Sequence, residues 1–123
     1  TVGGVNFINH NYNNIYMAML FASVDGISKV GYFDGTGSDL DITTGFTVRL
    51  FIVKRTDGTG HWYIFDTTRG LVSGNDNRLT LDQTEAANTA HDLVDPISNG
   101  IRLHSSSGWF NDSSQKYIYY AHA

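Results

Sequence analysis

Apolar and polar residues change places along this chain in short runs that fit the period of a pleated strand far better than that of a helix. Residues 48–55 and 61–67 form the clearest pair. Thr56-Asp57-Gly58-Thr59-Gly60 stands between them, and Asp-Gly between two β-rich runs is a strong hairpin signal. On the second run Trp62 and Ile64 face one way and Tyr63 and Phe65 the other. Both faces are therefore expected to be covered, as on the central strand of a sandwich, with Trp62 in the core. Further strands are predicted at 28–33, 40–43, 78–81, 97–104 and 116–123. The dense apolar stretch 15–22 reads as a strand buried on both faces. Glycine and polar residues mark loops or turns at 34–38, 44–45, 70–77 and 105–108. Only residues 82–92 suit a helix, of one or two turns, with Asp82 and Glu85 at capping-box spacing. About eight short strands at this spacing predict an all-β fold. An antiparallel β-sandwich of jelly-roll type comes first, with a β-barrel as the alternative.

Composition supports that reading. Glu occurs once and Lys three times, against seven Tyr, seven Phe and thirteen Gly. Strong helix formers are scarce and residues that suit a half-buried pleated surface are plentiful. The 123 residues make one domain, large enough to fold without staples, and the absence of cysteine removes disulfides and thiolate metal sites. A formal charge of −4 and eight scattered Lys and Arg argue against nucleic acid as a partner. The longest apolar run is too short for membrane insertion.

The chain begins much as it ends. Aligned without gaps, Tyr16-Met17-Ala18-Met19-Leu20-Phe21-Ala22 lies over Tyr117-Ile118-Tyr119-Tyr120-Ala121-His122-Ala123, with Tyr and Ala matched at the two ends. This echo divides the chain into an N-terminal strand segment at 1–27, the end of a preceding repeat, and a β-sandwich module at 28–123. The competing reading is two unrelated apolar strands of similar composition. A chain starting at Thr1 is expected to have been processed or cut from something longer. An extra terminal strand could pair with a neighbouring chain.

Several blocks together resemble a known module. Gly31-Tyr32-Phe33-Asp34-Gly35-Thr36-Gly37-Ser38, Ile42-Thr43-Thr44-Gly45-Phe46 and Phe51-Ile52-Val53-Lys54-Arg55 come first. Trp62-Tyr63-Ile64-Phe65-Asp66-Thr67-Thr68-Arg69-Gly70, Ser98-Asn99-Gly100, Asn111 and Tyr117-Ile118-Tyr119 follow in order. Over about residues 29–123 the chain resembles a repeat module of tail-fibre-like and other structural proteins of tailed phages, often marine ones. It departs from them at Val48-Arg49-Leu50, where a proline and an aspartate are more usual, and at His122, where Phe is usual. The resemblance implies a β-rich, non-catalytic module of the virion surface, of tail-fibre or capsid-decoration type, serving host adhesion or particle decoration. Its implied partners are other virion proteins and further copies of itself, a trimer among the arrangements. The alternative is a free-standing carbohydrate-binding, lectin-like module that meets a host surface glycan.

The residues themselves offer little for catalysis. No nucleophile elbow occurs, and His10, His61, His91, His104 and His122 show no metal-type spacing. They are expected in solvated or hydrogen-bonded roles, and the chain is expected not to be an enzyme. Trp109-Phe110-Asn111-Asp112 lies in a Ser- and Gly-rich turn. Flat rings beside short polar groups suit a sugar, whose ring has an apolar face and a polar rim. These four are the candidate ligand-binding residues. No cofactor is expected, apart from a calcium hypothesis on Asp34, Asp39 and Asp41, because hard cations want clustered oxygens. Asp76, between Asn75 and Asn77, is a second such candidate. Solvated turns are the competing reading for both.

Overall fold

The computed structural model describes residues 17–104 and 109–123. Nine strands build it: β1 (Ser28–Asp34), β2 (Leu40–Thr43), β3 (Leu50–Arg55), β4 (Trp62–Asp66), β5 (Asp76–Thr80), β6 (Asn88–His91), β7 (Val94–Ile97), β8 (Gly100–Leu103) and β9 (Lys116–His122). One sheet has six strands in the order β1-β9-β3-β4-β5-β6, the other three in the order β2-β8-β7. All pairings are antiparallel and neither sheet closes into a barrel. The fold is the expected all-β one, consistent with a β-sandwich.

Period-two alternation explains the core. On the large sheet Phe33, Phe51, Val53, Tyr63, Phe65, Tyr117, Tyr119 and Ala121 point inward. They meet Ile42, Val94, Ile101 and Leu103 from the small sheet in one cluster. Each such side chain contributes roughly 1.5–3 kcal/mol by leaving water. Phe33 stacks on Tyr117 at 4.9 Å between centroids, and Phe65 meets Phe110 edge-on at 5.8 Å. Two glycines permit close passage of backbone. A Cβ on Gly35 would lie 2.1 Å from the Asp112 carbonyl oxygen, and one on Gly100 would lie 2.0 Å from that of Ile42.

Several expectations need correction. Residues 97–104 are two strands, not one, because Ser98-Asn99 turns the chain between β7 and β8. Residues 82–92 hold no helix. Asp82 accepts from the Trp62 backbone N–H and Glu85 from the Thr80 hydroxyl, so both carboxylates serve other parts of the chain, and β6 occupies the end of the stretch. The strand predicted at 15–22 is not formed over 17–22, where Met17, Met19 and Leu20 are largely exposed; residues 15 and 16 lie outside the described residues. So do most of the N-terminal segment and the turn predicted at 105–108. Trp62 is not core. It sits on the outer face of β4, 40% exposed, because nothing among the described residues covers that face as the small sheet covers the inner one.

Candidate functional site

The turn before β9 places Trp109 on the edge of the core. Its ring lies under the Arg78 guanidinium, whose carbon is 3.5 Å from the ring centroid, and meets Tyr63 edge-on at 6.0 Å. Arg78 is itself buried, with Nε and one terminal nitrogen lacking hydrogen-bond partners, and burial pushes its pKa down. The cation–π contact therefore carries much of what holds this cation in place. Phe110 and Asn111 are fully buried, so of the four predicted ligand residues only Trp109 and Asp112 reach the surface. Asn111 has a structural task. Its Oδ1 accepts from the Thr36 N–H at 3.0 Å, and its Nδ2 donates to the Ser38 carbonyl at 2.7 Å. With φ at 65° it presents its own carbonyl to the Gly37 N–H. The Asp34–Asp41 loop is thus shaped by an asparagine from the other end of the chain.

Trp109 and Asp112 border a shallow cleft of about 470 Å³, with Lys54, Arg55, His61, Tyr63, Asp82 and Gln115 around it. Aromatic rings and both signs of charge meet there. The lining fits a polar ligand with one flat apolar face.

The three aspartates of the calcium hypothesis go to different cations. Asp34 pairs with Lys116 at 2.9 Å, and Asp41 takes a bidentate pair from Arg102 at 2.7 and 2.9 Å. The Arg102 hydrogen bond holds the Asp41 carboxyl below the usual range. Asp39 faces Nδ1 of His104 at 3.4 Å. Asp76 is buried and accepts from the Leu93 and Val94 N–H groups through Oδ2, while Oδ1 has no partner. Burial pushes its pKa up to about 6, against the pull of those two hydrogen bonds.

A different cluster forms where the chain passes between the sheets. Nε2 of His104 lies 3.1 Å from Asp95 and 3.5 Å from Asp92. One ligand atom from each of these three residues fits within 4.8 Å of the others. Burial opposes charging of His104. The hydrogen bond to Asp95 and the charges of Asp92 and Asp39 outweigh it and raise its pKa. Sequence reading missed this cluster because it took 97–104 as one strand. Ser98-Asn99-Gly100 was the available signal: with Ser98-Asn99 as a two-residue hairpin turn, Leu103 falls opposite Val94 and His104 comes back beside Leu93.

The last candidate surface is the outer face of the large sheet. Val30, Ile52, Trp62, Ile118 and Tyr120 share it, and Met19, Leu20 and Phe21 from the N-terminal side lie along a groove of about 700 Å³. Phe21 contacts Tyr120 at 4.7 Å between ring centroids. Over residues 1–123 the sequence matches the family described as Domain of unknown function (DUF7483). The chain belongs to that family. No curated protein and no solved structure matches it. The match spans both the segment before β1 and the strands after it.

Proposed function

We propose that this domain is a non-catalytic structural module of a tailed-phage virion surface, of tail-fibre or capsid-decoration type. It works by packing the outer face of its six-stranded sheet against further copies of the same chain. The contiguous apolar outer face carries this reading. A monomer gains nothing from exposed Trp62, Ile118 and Leu81 beside half-buried Ile52, and apolar patches of this kind mark protein–protein contacts. The echo between residues 16–22 and 117–123 favours copies of the same module as the occupant. Resemblance to phage structural repeats supplies the setting. Sedimentation equilibrium of the whole chain tests it: a defined homo-oligomer is expected. A strict monomer at 100 times the usual working concentration of about 1 μM would overturn the packing role.

The cleft beside Trp109 favours a second reading, a carbohydrate-binding module. A ring, two carboxylates and amide and hydroxyl donors meet there in the way a pyranose requires. Glycan-array binding by a monomeric protein, lost in Asp112→Ala, would support it over the first.

A further inference from the structure

We propose that Asp92, Asp95 and His104 bind one divalent cation of the zinc or manganese type. Asp92 lies in the link from β6 to β7, Asp95 on β7, and His104 immediately after β8. Their donor atoms come within 4.8 Å of one another, close enough for one ion to touch all three. An imidazole nitrogen with two carboxylate oxygens suits a borderline metal, whereas calcium prefers an all-oxygen set. Three protein ligands leave a position open for water or a partner's side chain.

The surroundings are those of a metal-binding histidine. Nδ1 of His104, the nitrogen turned away from the proposed ion, faces Asp39 at 3.4 Å, and a carboxylate there fixes the ring and strengthens the other nitrogen as a donor. Asp95 keeps Oδ2 toward His104 while Oδ1 accepts from the Gly74 N–H at 3.2 Å. Charge gives a separate argument. Buried Asp76 sets its carboxylate against the peptides that join Asp92 to Asp95, and one of its oxygens has no partner. Three carboxylates, of Asp39, Asp92 and Asp95, thus gather around one imidazole. The carboxylates outnumber the cations beside them, since nearby Arg102 already donates to Asp41 through Nε and one terminal nitrogen. A divalent cation supplies the missing charge. It would tie the corner at which the chain leaves the large sheet to the small one, making a clamp between the layers.

The test uses the whole chain stripped with EDTA and then titrated with zinc chloride, with calcium and magnesium chloride in parallel. Calorimetry should give one zinc per chain. At a hundredfold excess over Kd, zinc should raise Tm by on the order of 10 °C. The His104 ring resonances should move as zinc is added. Asp92→Asn, at an exposed position, should leave the metal-free Tm unchanged and weaken zinc binding at least tenfold. His104→Gln should abolish the ring signal and the Tm gain. No Tm gain with zinc would overturn the proposal. So would an equal gain in both variants, which would put the ion elsewhere, or a larger gain with calcium.

Discussion

The outer faces of the two sheets differ in kind. On the small sheet Asp41, Arg102 and Asp95 stand side by side across β2, β8 and β7, and Asp41 pairs with Arg102 within the face. On the large sheet Val30, Tyr120, Ile52 and Ile64 stand in the same relation across β1, β9, β3 and β4, with no charge among them. Both sheets bury an equivalent inner face, so the core does not require the difference. A face whose polar groups satisfy one another is finished in the monomer. A face of unpaired apolar side chains gains free energy only from something laid over it. On the proposed packing role, the contrast separates the surface left to solvent from the surface offered to a partner.

The largest expected effect comes from breaking the apolar face. Ile52→Glu with Ile118→Glu places two charges at its centre, and burying either in an interface without a partner is costly. The association constant should fall at least a thousandfold, about 4 kcal/mol, in sedimentation equilibrium. The inner core is untouched, so the variant should keep a β-type circular dichroism spectrum and a cooperative melt. Unchanged association would make the apolar face irrelevant to packing.

Next comes a pH effect that arises behind the small sheet. The pKa of Asp76 is about 6 in the fold, against 3.8 ordinarily. The folded state thus binds this proton more tightly than the unfolded chain does, and stability should rise as pH falls from about 7 to about 4. His104 acts in the same sense: its raised folded pKa gives a contribution that is full below the ordinary imidazole value and lost as pH climbs through the folded one. The Asp76 part is on the order of 3 kcal/mol. Denaturant midpoints of metal-free protein between pH 4 and 7 measure it, and Asp76→Asn should remove most of the slope. A midpoint that climbs steadily toward neutral pH would contradict the assignment.

These groups also mark how far the sequence could be read. The inner face of a strand is expected to be apolar, and β1, β3, β4 and β9 largely follow that rule. It fails on β5, where Asp76, Arg78 and Thr80 are the buried positions and Leu79 lies on the outer side. Asp76 and Arg78 are served by distant partners, the peptides at the start of β7 and Trp109, and Thr80 by Glu85 from the loop that follows. No local pattern records those meetings. The same holds for Asn111, whose sugar-binding look came from its neighbours in sequence while its hydrogen bonds run to Thr36 and Ser38. Trp62 was misjudged for the opposite reason. Alternation gave its face correctly, but whether a face is covered depends on where the second sheet ends. The His104 cluster needed only the Ser98-Asn99 turn to become visible.

Trp109 sits on the rim of the core, beside the polar cleft. Trp109→Ala should cost about 2 kcal/mol, because the ring packs on the core rim and shields the Arg78 guanidinium. Thermal denaturation measures this. A loss of glycan binding with Tm unchanged would instead make the ring a free contact surface and favour the lectin reading.

The smallest effect is expected on the finished face. Arg102 and Asp41 make a well-formed bidentate pair, but both side chains are more than two-fifths exposed. Water and salt screen such a pair, and holding two long side chains in one geometry offsets part of the gain. Asp41→Asn and Arg102→Met should each move Tm by no more than ~2 °C, and the double variant should match their sum. Neither should alter association, since the pair lies on the other sheet from the apolar groove. The sign with pH follows from the lowered Asp41 carboxyl: its contribution is present above the ordinary carboxylate range and fades as acid protonates it. This opposes the Asp76 effect and places the stability maximum in mild acid. A large non-additive coupling, or a change of oligomeric state in either variant, would mean that the charged face also meets a partner, and the distinction between the two faces would fail.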